Sequence, residues 1–184
     1  AFISAMEKWA PDLTERITFH STPLKSFDAV IATGSNNTAR YFEHYFGSKP
    51  NIIRKNRTSV AVLTGKETTE ELKLLGNDVF DYFGLGCRNV TKLYVPKGYD
   101  LNRFFEAIFP FQDVVNHNKY ANNFDYHKAI WLLNQDDLLE NGFLLLKQDA
   151  ALVSPVGSMY YEYYEEIAEV SFQLEQNKDQ IQCI

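Results

Sequence analysis

A chain of 184 residues, 45 % apolar and 23 % charged, has the make-up of a globular protein and the length to bury one medium core or the remains of two. Aromatics at 15 % argue against disorder, and a net charge of −6 excludes a molecule drawn as a whole to nucleic acid. No apolar run reaches the length a bilayer requires, and residues 1–8 lack the basic and apolar regions of a secretory signal.

Taken in chain order, residues 5–9 read as a helix and Ile17-Thr18-Phe19 as a strand. Phe27-Asp28-Ala29-Val30-Ile31-Ala32 is a short, largely apolar strand of the kind buried in a parallel sheet. Thr33-Gly34-Ser35 follows, then a helix over about 37–46, with Ser35 and Asn36 suited to capping it and Gly47 to ending it. Ser59-Val60-Ala61-Val62-Leu63 is a second strand. Thr68 then precedes Glu71 by three positions, the spacing of a capping box. The helix it opens carries Leu72, Leu75, Val79, Phe80 and Phe83 near a 3.6-residue period. Gly84-Leu85-Gly86-Cys87 closes it with a loop whose glycines let backbone approach a ligand. Lys92-Leu93-Tyr94-Val95 is a strand stopped by Pro96. Residues 101–109 and 120–133 read as helices, 143–146 and 159–164 as strands, and 165–176 as a helix. This alternation predicts an α/β fold with a mostly parallel sheet flanked by helices.

Two places carry the elements of chemistry. Thr33-Gly34-Ser35 joins a strand to a helix start, where free N–H groups and the helix dipole favour phosphate, although such turns also serve geometry alone. Cys87 sits beside a helix terminus and backbone donors, a setting that exposes and activates a thiol; the plainer reading of a free cysteine is a small buried hydrophobe. Cys183 takes that plainer reading. His20, His44, His117 and His127 form no metal-ligand spacing, so no metal site is expected. Asp136-Asp137 and Glu165-Glu166 read as solvated charges, and the Arg54-Lys55-Asn56-Arg57 cluster as a solvated turn within reach of a nucleotide's or CoA's phosphates. N-glycosylation patterns begin at Asn36, Asn56 and Asn89 but carry no weight without a secretory signal. Two distant cysteines make no disulfide framework, so a reducing cytoplasm is the expected compartment. The chain begins without Met and stops within Ile181-Gln182-Cys183-Ile184, which suggests a fragment of a longer protein.

The order of these features resembles the aldehyde-dehydrogenase superfamily. Ala32-Thr33-Gly34-Ser35, a helix, a strand, a second helix, Gly86-Cys87 and a strand ending in Val95, eight positions after Cys87, follow that family's succession. Ser154-Pro155-Val156-Gly157 resembles its Gly-Pro-Val segment. Phe83-Gly84-Leu85-Gly86-Cys87-Arg88-Asn89, with Tyr161-Glu162-Tyr163-Tyr164 downstream, is closer to acyl-CoA reductases related to the fatty-acid reductase of bacterial bioluminescence. The resemblance implies Cys87 as the nucleophile that forms an acyl thioester, and Thr33, Gly34 and Ser35 beside an NADPH or NADH cofactor. It also implies that residues 1–53 end a cofactor-binding domain and that 54–184 form the thioester-forming domain.

The departures matter too. Ile52-Ile53-Arg54-Lys55-Asn56-Arg57 stands where ordinary aldehyde dehydrogenases carry a glutamate before two glycines, and Ala151 is near the place of the cofactor-facing glutamate. Loss of the hydrolytic base suits acyl exchange with a thiol rather than oxidation to an acid. The expected activity is therefore reduction of an acyl-CoA to the aldehyde, with homo-oligomers possible through segments absent here. An acyl-phosphate donor, or a non-catalytic α/β subunit with the same fold, are the alternatives.

Overall fold

The computed structural model describes residues 2–22, 26–34 and 36–184. The chain divides into two compact units, Ala1–Arg54 and Lys55–Ile184.

The first unit opens with helices α1 (Phe2–Trp9) and α2 (Pro11–Thr14). Ile17-Thr18-Phe19, expected as a strand, follows a turn and has no regular structure; Phe19 is 80 % exposed and no described strand pairs with it. Strand β1 (Val30–Thr33) is shorter than expected and begins later. Its parallel ladder with β2 (Asn51–Arg54) starts at Val30, while Phe27 packs its ring edge-on against Phe46 at 5.5 Å. Neither is β1 buried on both faces, since Ile31 is 82 % exposed. The eleven-residue helix α3 (Asn36–Phe46) lies between β1 and β2, and the Gly47 N–H closes it onto the Glu43 carbonyl at 2.9 Å.

The second unit holds β3 (Ser59–Val62), α4 (Thr69–Phe80), β4 (Val90–Pro96), α5 (Leu101–Ile108), α6 (Asn118–Leu133), β5 (Leu138–Glu140), β6 (Leu145–Gln148), β7 (Ser158–Tyr164) and α7 (Ile167–Gln176). Its five-stranded sheet runs β3-β4-β7-β6-β5, parallel except for β5 on the edge. The α/β class with a parallel-dominated sheet is thus the observed one. The capping box is present: the Thr68 hydroxyl accepts from the Glu71 N–H at 3.2 Å, and the Glu71 carboxylate accepts from the Thr68 N–H at 2.8 Å. Where α4 was expected to reach Phe83 it stops at Phe80, because Asp81 leaves the helical region and Tyr82 and Phe83 take positive φ. Strand β6 begins two residues later than expected: the Asn141 carboxamide oxygen accepts from the N–H groups of Phe143 and Leu144, at 3.2 and 2.9 Å, and holds them in a turn. Helix α7 starts at Ile167, with Glu166 extended as its N-cap.

Alternate residues of the central strands serve opposite faces. Leu93 and Val95 of β4 and Met159 of β7, all fully buried, pack with Leu72 and Phe80 of α4 and Phe104 and Ile108 of α5. Tyr94 and Tyr164 turn the other way, with Val60 of β3, Val170 of α7 and Ile181. Each such side chain contributes roughly 2 kcal/mol by leaving water. Beyond β3, residues 180–183 continue the sheet, with the Thr58 N–H donating to the Gln180 carbonyl at 3.0 Å and the Val60 N–H to that of Cys183 at 3.2 Å. Cys183 itself is exposed, contrary to its reading as a buried hydrophobe, because that last segment lies along an edge with nothing described outside it.

Candidate active site

Helix α4 ends in a backbone that most side chains avoid. Tyr82, Phe83 and Gly84 have φ of 55°, 59° and 73°, and only glycine takes this left-handed region without cost. The reversal carries the chain into a tight turn, Gly86-Cys87-Arg88-Asn89, closed by the Asn89 N–H on the Gly86 carbonyl at 3.0 Å. The same turn is closed a second time by a side chain. The Asn89 carboxamide oxygen accepts from the Gly86 N–H at 2.7 Å, and its NH2 donates to the carbonyls of Asp78 and Asp81 at 2.8 and 2.7 Å. A Cβ on Gly86 would stand 2.7 Å from that oxygen, so a larger residue there would have to push the Asn89 carboxamide out of its bonds. From the other side, the buried Ser59 hydroxyl donates to the Cys87 carbonyl at 3.1 Å.

Cys87 is therefore exposed on a turn whose backbone is fixed from both flanks. No described residue accepts from its N–H. Cys87 borders a cleft of about 330 Å³ that also meets Asp78, Asp81, Tyr82, Arg88 and Asn89. An exposed thiol, a free backbone donor and an open cleft are what nucleophilic attack on a carbonyl requires. The buried reading of Cys87 does not hold. Asn89, only 4 % exposed with both amide hydrogens donated, has no nitrogen to offer for glycosylation in the folded chain.

Ser154-Pro155-Val156-Gly157 comes close to the loop that precedes Cys87. Phe83, Gly84, Thr91 and this segment line a small space of about 20 Å³, enough for one water. Gly157, at φ +83°, lies so near Phe124 that a Cβ would meet its Cα at 2.9 Å. Strand β4 holds the chain leading into this segment. The fully buried Lys92 ammonium donates to the carbonyls of Asp149, at 2.7 Å, and Ala151, at 3.3 Å, and pairs with the Glu162 carboxylate. The Thr91 hydroxyl donates to the Leu152 carbonyl at 2.7 Å. The position read as a missing cofactor-facing glutamate, Ala151, thus lends its carbonyl to a buried lysine.

In the first unit, Thr33 is exposed at the end of β1, and the Gly34 N–H donates to the Arg54 carbonyl at 3.2 Å. Thr33 and Arg54 are register partners, so Thr33, Gly34 and the start of the basic cluster meet. A Cβ on Gly34 would press on the Thr38 side chain at 2.9 Å, a packing reason for glycine that holds with or without a ligand. Ser35 lies outside the described residues.

The remaining candidates are structural. The His117 ring stacks on Phe83 at 4.1 Å, and His127 packs on Trp131 with its pKa lowered by burial. Asp136 pairs with Lys147 at 3.2 Å and Glu165 with Lys97 at 2.5 Å. Among the described residues no group of three or more His, Cys, Asp or Glu is placed to hold a metal, and no helix is long and apolar enough to cross a membrane. Ser59 and Lys92 were not singled out by their sequence, and Asn89 only as a glycosylation pattern and as the end of the motif over 83–89. Only Lys92 left a signal, as a cation inside an apolar strand with buried neighbours.

No protein-family model and no curated protein matches the sequence. Solved structures do match its fold. A cysteine-to-alanine mutant of the indole-3-acetaldehyde dehydrogenase AldA of P. syringae, in complex with NAD+ and IAA, aligns at TM-score 0.58 and 11 % identity over 79 % of this chain and 37 % of its own. An NAD-dependent aldehyde dehydrogenase from Sinorhizobium meliloti aligns at 0.60 and 11 %, over 79 % and 36 %, and a bifunctional proline utilization A protein at 0.60 and 16 %, over 83 % and 19 %. The fold is that of the aldehyde dehydrogenases. The chain spans less than two fifths of the length of these proteins.

Proposed function

We propose that this chain carries the thioester-forming part of a reductase that converts an acyl-CoA to an aldehyde with NADPH or NADH. The observation that carries the reading is Cys87, exposed over a cleft on a turn fixed from both flanks, within an aldehyde-dehydrogenase fold. That two structures of this fold were determined as cysteine-to-alanine mutants with NAD+ supports a cysteine as the reacting group.

The Cys87 sulfur attacks the acyl carbonyl as thiolate. A new C–S bond forms, the bond to the CoA sulfur breaks, and CoA leaves as a thiolate that takes a proton from solvent. Negative charge on the carbonyl oxygen grows in the transition state, and the Cys87 N–H, which has no acceptor among the described residues, is the donor that meets it. A bound NADPH or NADH would supply hydride to the thioester carbon, and Cys87 would then leave as thiolate, its C–S bond breaking as the aldehyde C=O forms. Thr33, Gly34 and Ser35 would border that cofactor. The start of α3 at the end of a parallel strand, with Arg54 opposite Thr33, suits its phosphates. The stretch where a hydrolytic base was sought is β2 and an exposed basic loop, which suits acyl transfer to a thiol rather than to water.

Steady-state assays of the full-length protein with a long-chain acyl-CoA test the reading. Nicotinamide oxidation with aldehyde formation is expected, falling at least about 1,000-fold in Cys87→Ala. Undiminished turnover in that variant contradicts the mechanism. Turnover with an acyl-phosphate alone would move the donor class.

A further inference from the structure

The nucleophile's turn is held by two buried side chains. Ser59, 1 % exposed, fixes the carbonyl of Cys87; Asn89, 4 % exposed, fixes the N–H of the residue before it. Ser59 thereby sets the peptide after Cys87, and the Asn89 side chain the Leu85–Gly86 peptide. The peptide between them, which carries the Cys87 N–H, is held through its Gly86 carbonyl by the Asn89 backbone N–H at 3.0 Å. Ser59 comes from β3, 28 positions away, and Asn89 reaches back to the last carbonyls of α4, so the turn is tied at once to sheet and helix.

Resting on the acyl-transfer reading above, we propose that Ser59 and Asn89 are positioning residues for Cys87. Both act through hydrogen bonds to the backbone of the turn. They aim the Cys87 N–H at the oxygen that becomes negative as the thioester forms, a donor that gains its worth from being fixed before the reaction begins. A misplacement of about an ångström at such a group costs on the order of 100-fold in rate.

The test is a single-turnover acylation of the full-length Cys183→Ser protein, which leaves Cys87 the reporting thiol among the two of this chain. A long-chain acyl-CoA is added without nicotinamide and the adduct is followed by quenched intact mass. In parallel, the rate of Cys87 alkylation by iodoacetamide is measured, a reaction that forms no oxyanion. Ser59→Ala, nearly isosteric, and Asn89→Asp, which keeps the acceptor for Gly86 but loses both donors, are compared with the parent, each first shown to be folded by its melting transition. The expected result is a fall in acylation of about 10- to 100-fold, with the acyl-CoA concentration at half-maximal rate and the alkylation rate within about threefold of the parent. Acylation within about twofold of the parent in both variants overturns the proposal, and so does a parallel loss of alkylation, since the thiol itself would then have moved. A parent that alkylates at Cys87 yet takes no acyl group removes the acyl-transfer reading first, and this inference with it.

Discussion

Cys87 and Lys92 stand five positions apart, one before β4 and one within it, and the fold treats them in opposite ways. Lys92 is fully buried, with its ammonium engaged by two carbonyls and a carboxylate. Cys87 is exposed, and its N–H meets no described acceptor. What surrounds Cys87 is nonetheless as closely paired as what surrounds Lys92: Ser59 and Asn89 spend their hydrogen bonds on the backbone beside the thiol and leave the thiol open. The difference teaches that order at this turn belongs to the scaffold and openness to the thiol.

The comparison is broken most sharply at its buried end. Lys92→Met leaves the carbonyls of Asp149 and Ala151 and the Glu162 carboxylate without their cation, and should cost about 3–5 kcal/mol in denaturant unfolding. Cys87→Ala should stay within about 0.5 kcal/mol of the wild type, as for other exposed positions. Equal losses in both would erase the distinction. A smaller effect is expected where the turn is strained. Tyr82 is 82 % exposed at φ 55°, so Tyr82→Gly relieves the left-handed backbone with little lost packing. A gain of up to about 1 kcal/mol, seen as a higher denaturant midpoint at unchanged slope, is the expected outcome.

The smallest effect concerns a third cluster, half-buried and closely paired. Partial burial would raise the Glu67 pKa, yet hydrogen bonds from the Thr64 N–H and hydroxyl and from the Gly65 N–H outweigh it, and the carboxyl titrates below its ordinary value of 4.5. A folded pKa below the unfolded one gives stability that is fully present above the unfolded value and lost as pH falls through the folded one. Wild type should therefore be slightly more stable than Glu67→Gln at pH 7, with the gap closing as pH drops below about 4.5. A gap that is constant from pH 7 to pH 3 would show the carboxylate's charge to be idle there.

What could be read in the sequence was local. The Thr68–Glu71 capping box spans one helical turn, and β4 is a single apolar run stopped at Pro96, so both were legible within a few residues. The Gly86-Cys87 loop announced itself by its glycines. The misplaced elements depend on distant partners. Ile17-Thr18-Phe19 has strand-like residues but no described neighbour to pair with, and the three-residue β5 exists because β6 offers it an edge. The same holds for the site. Ser59 acts across 28 positions, and Lys92 finds its carbonyl acceptors 57 and 59 positions away, distances over which neither period nor motif carries information.

The central claim is that Cys87 takes the acyl group. Intact mass of the full-length protein, wild type and Cys87→Ala, after mixing with a long-chain acyl-CoA and no nicotinamide, tests it most directly. The account predicts one acyl adduct on the wild type alone, discharged as aldehyde when NADPH or NADH is added. An adduct of equal yield on folded Cys87→Ala, or none on the folded wild type, would contradict it.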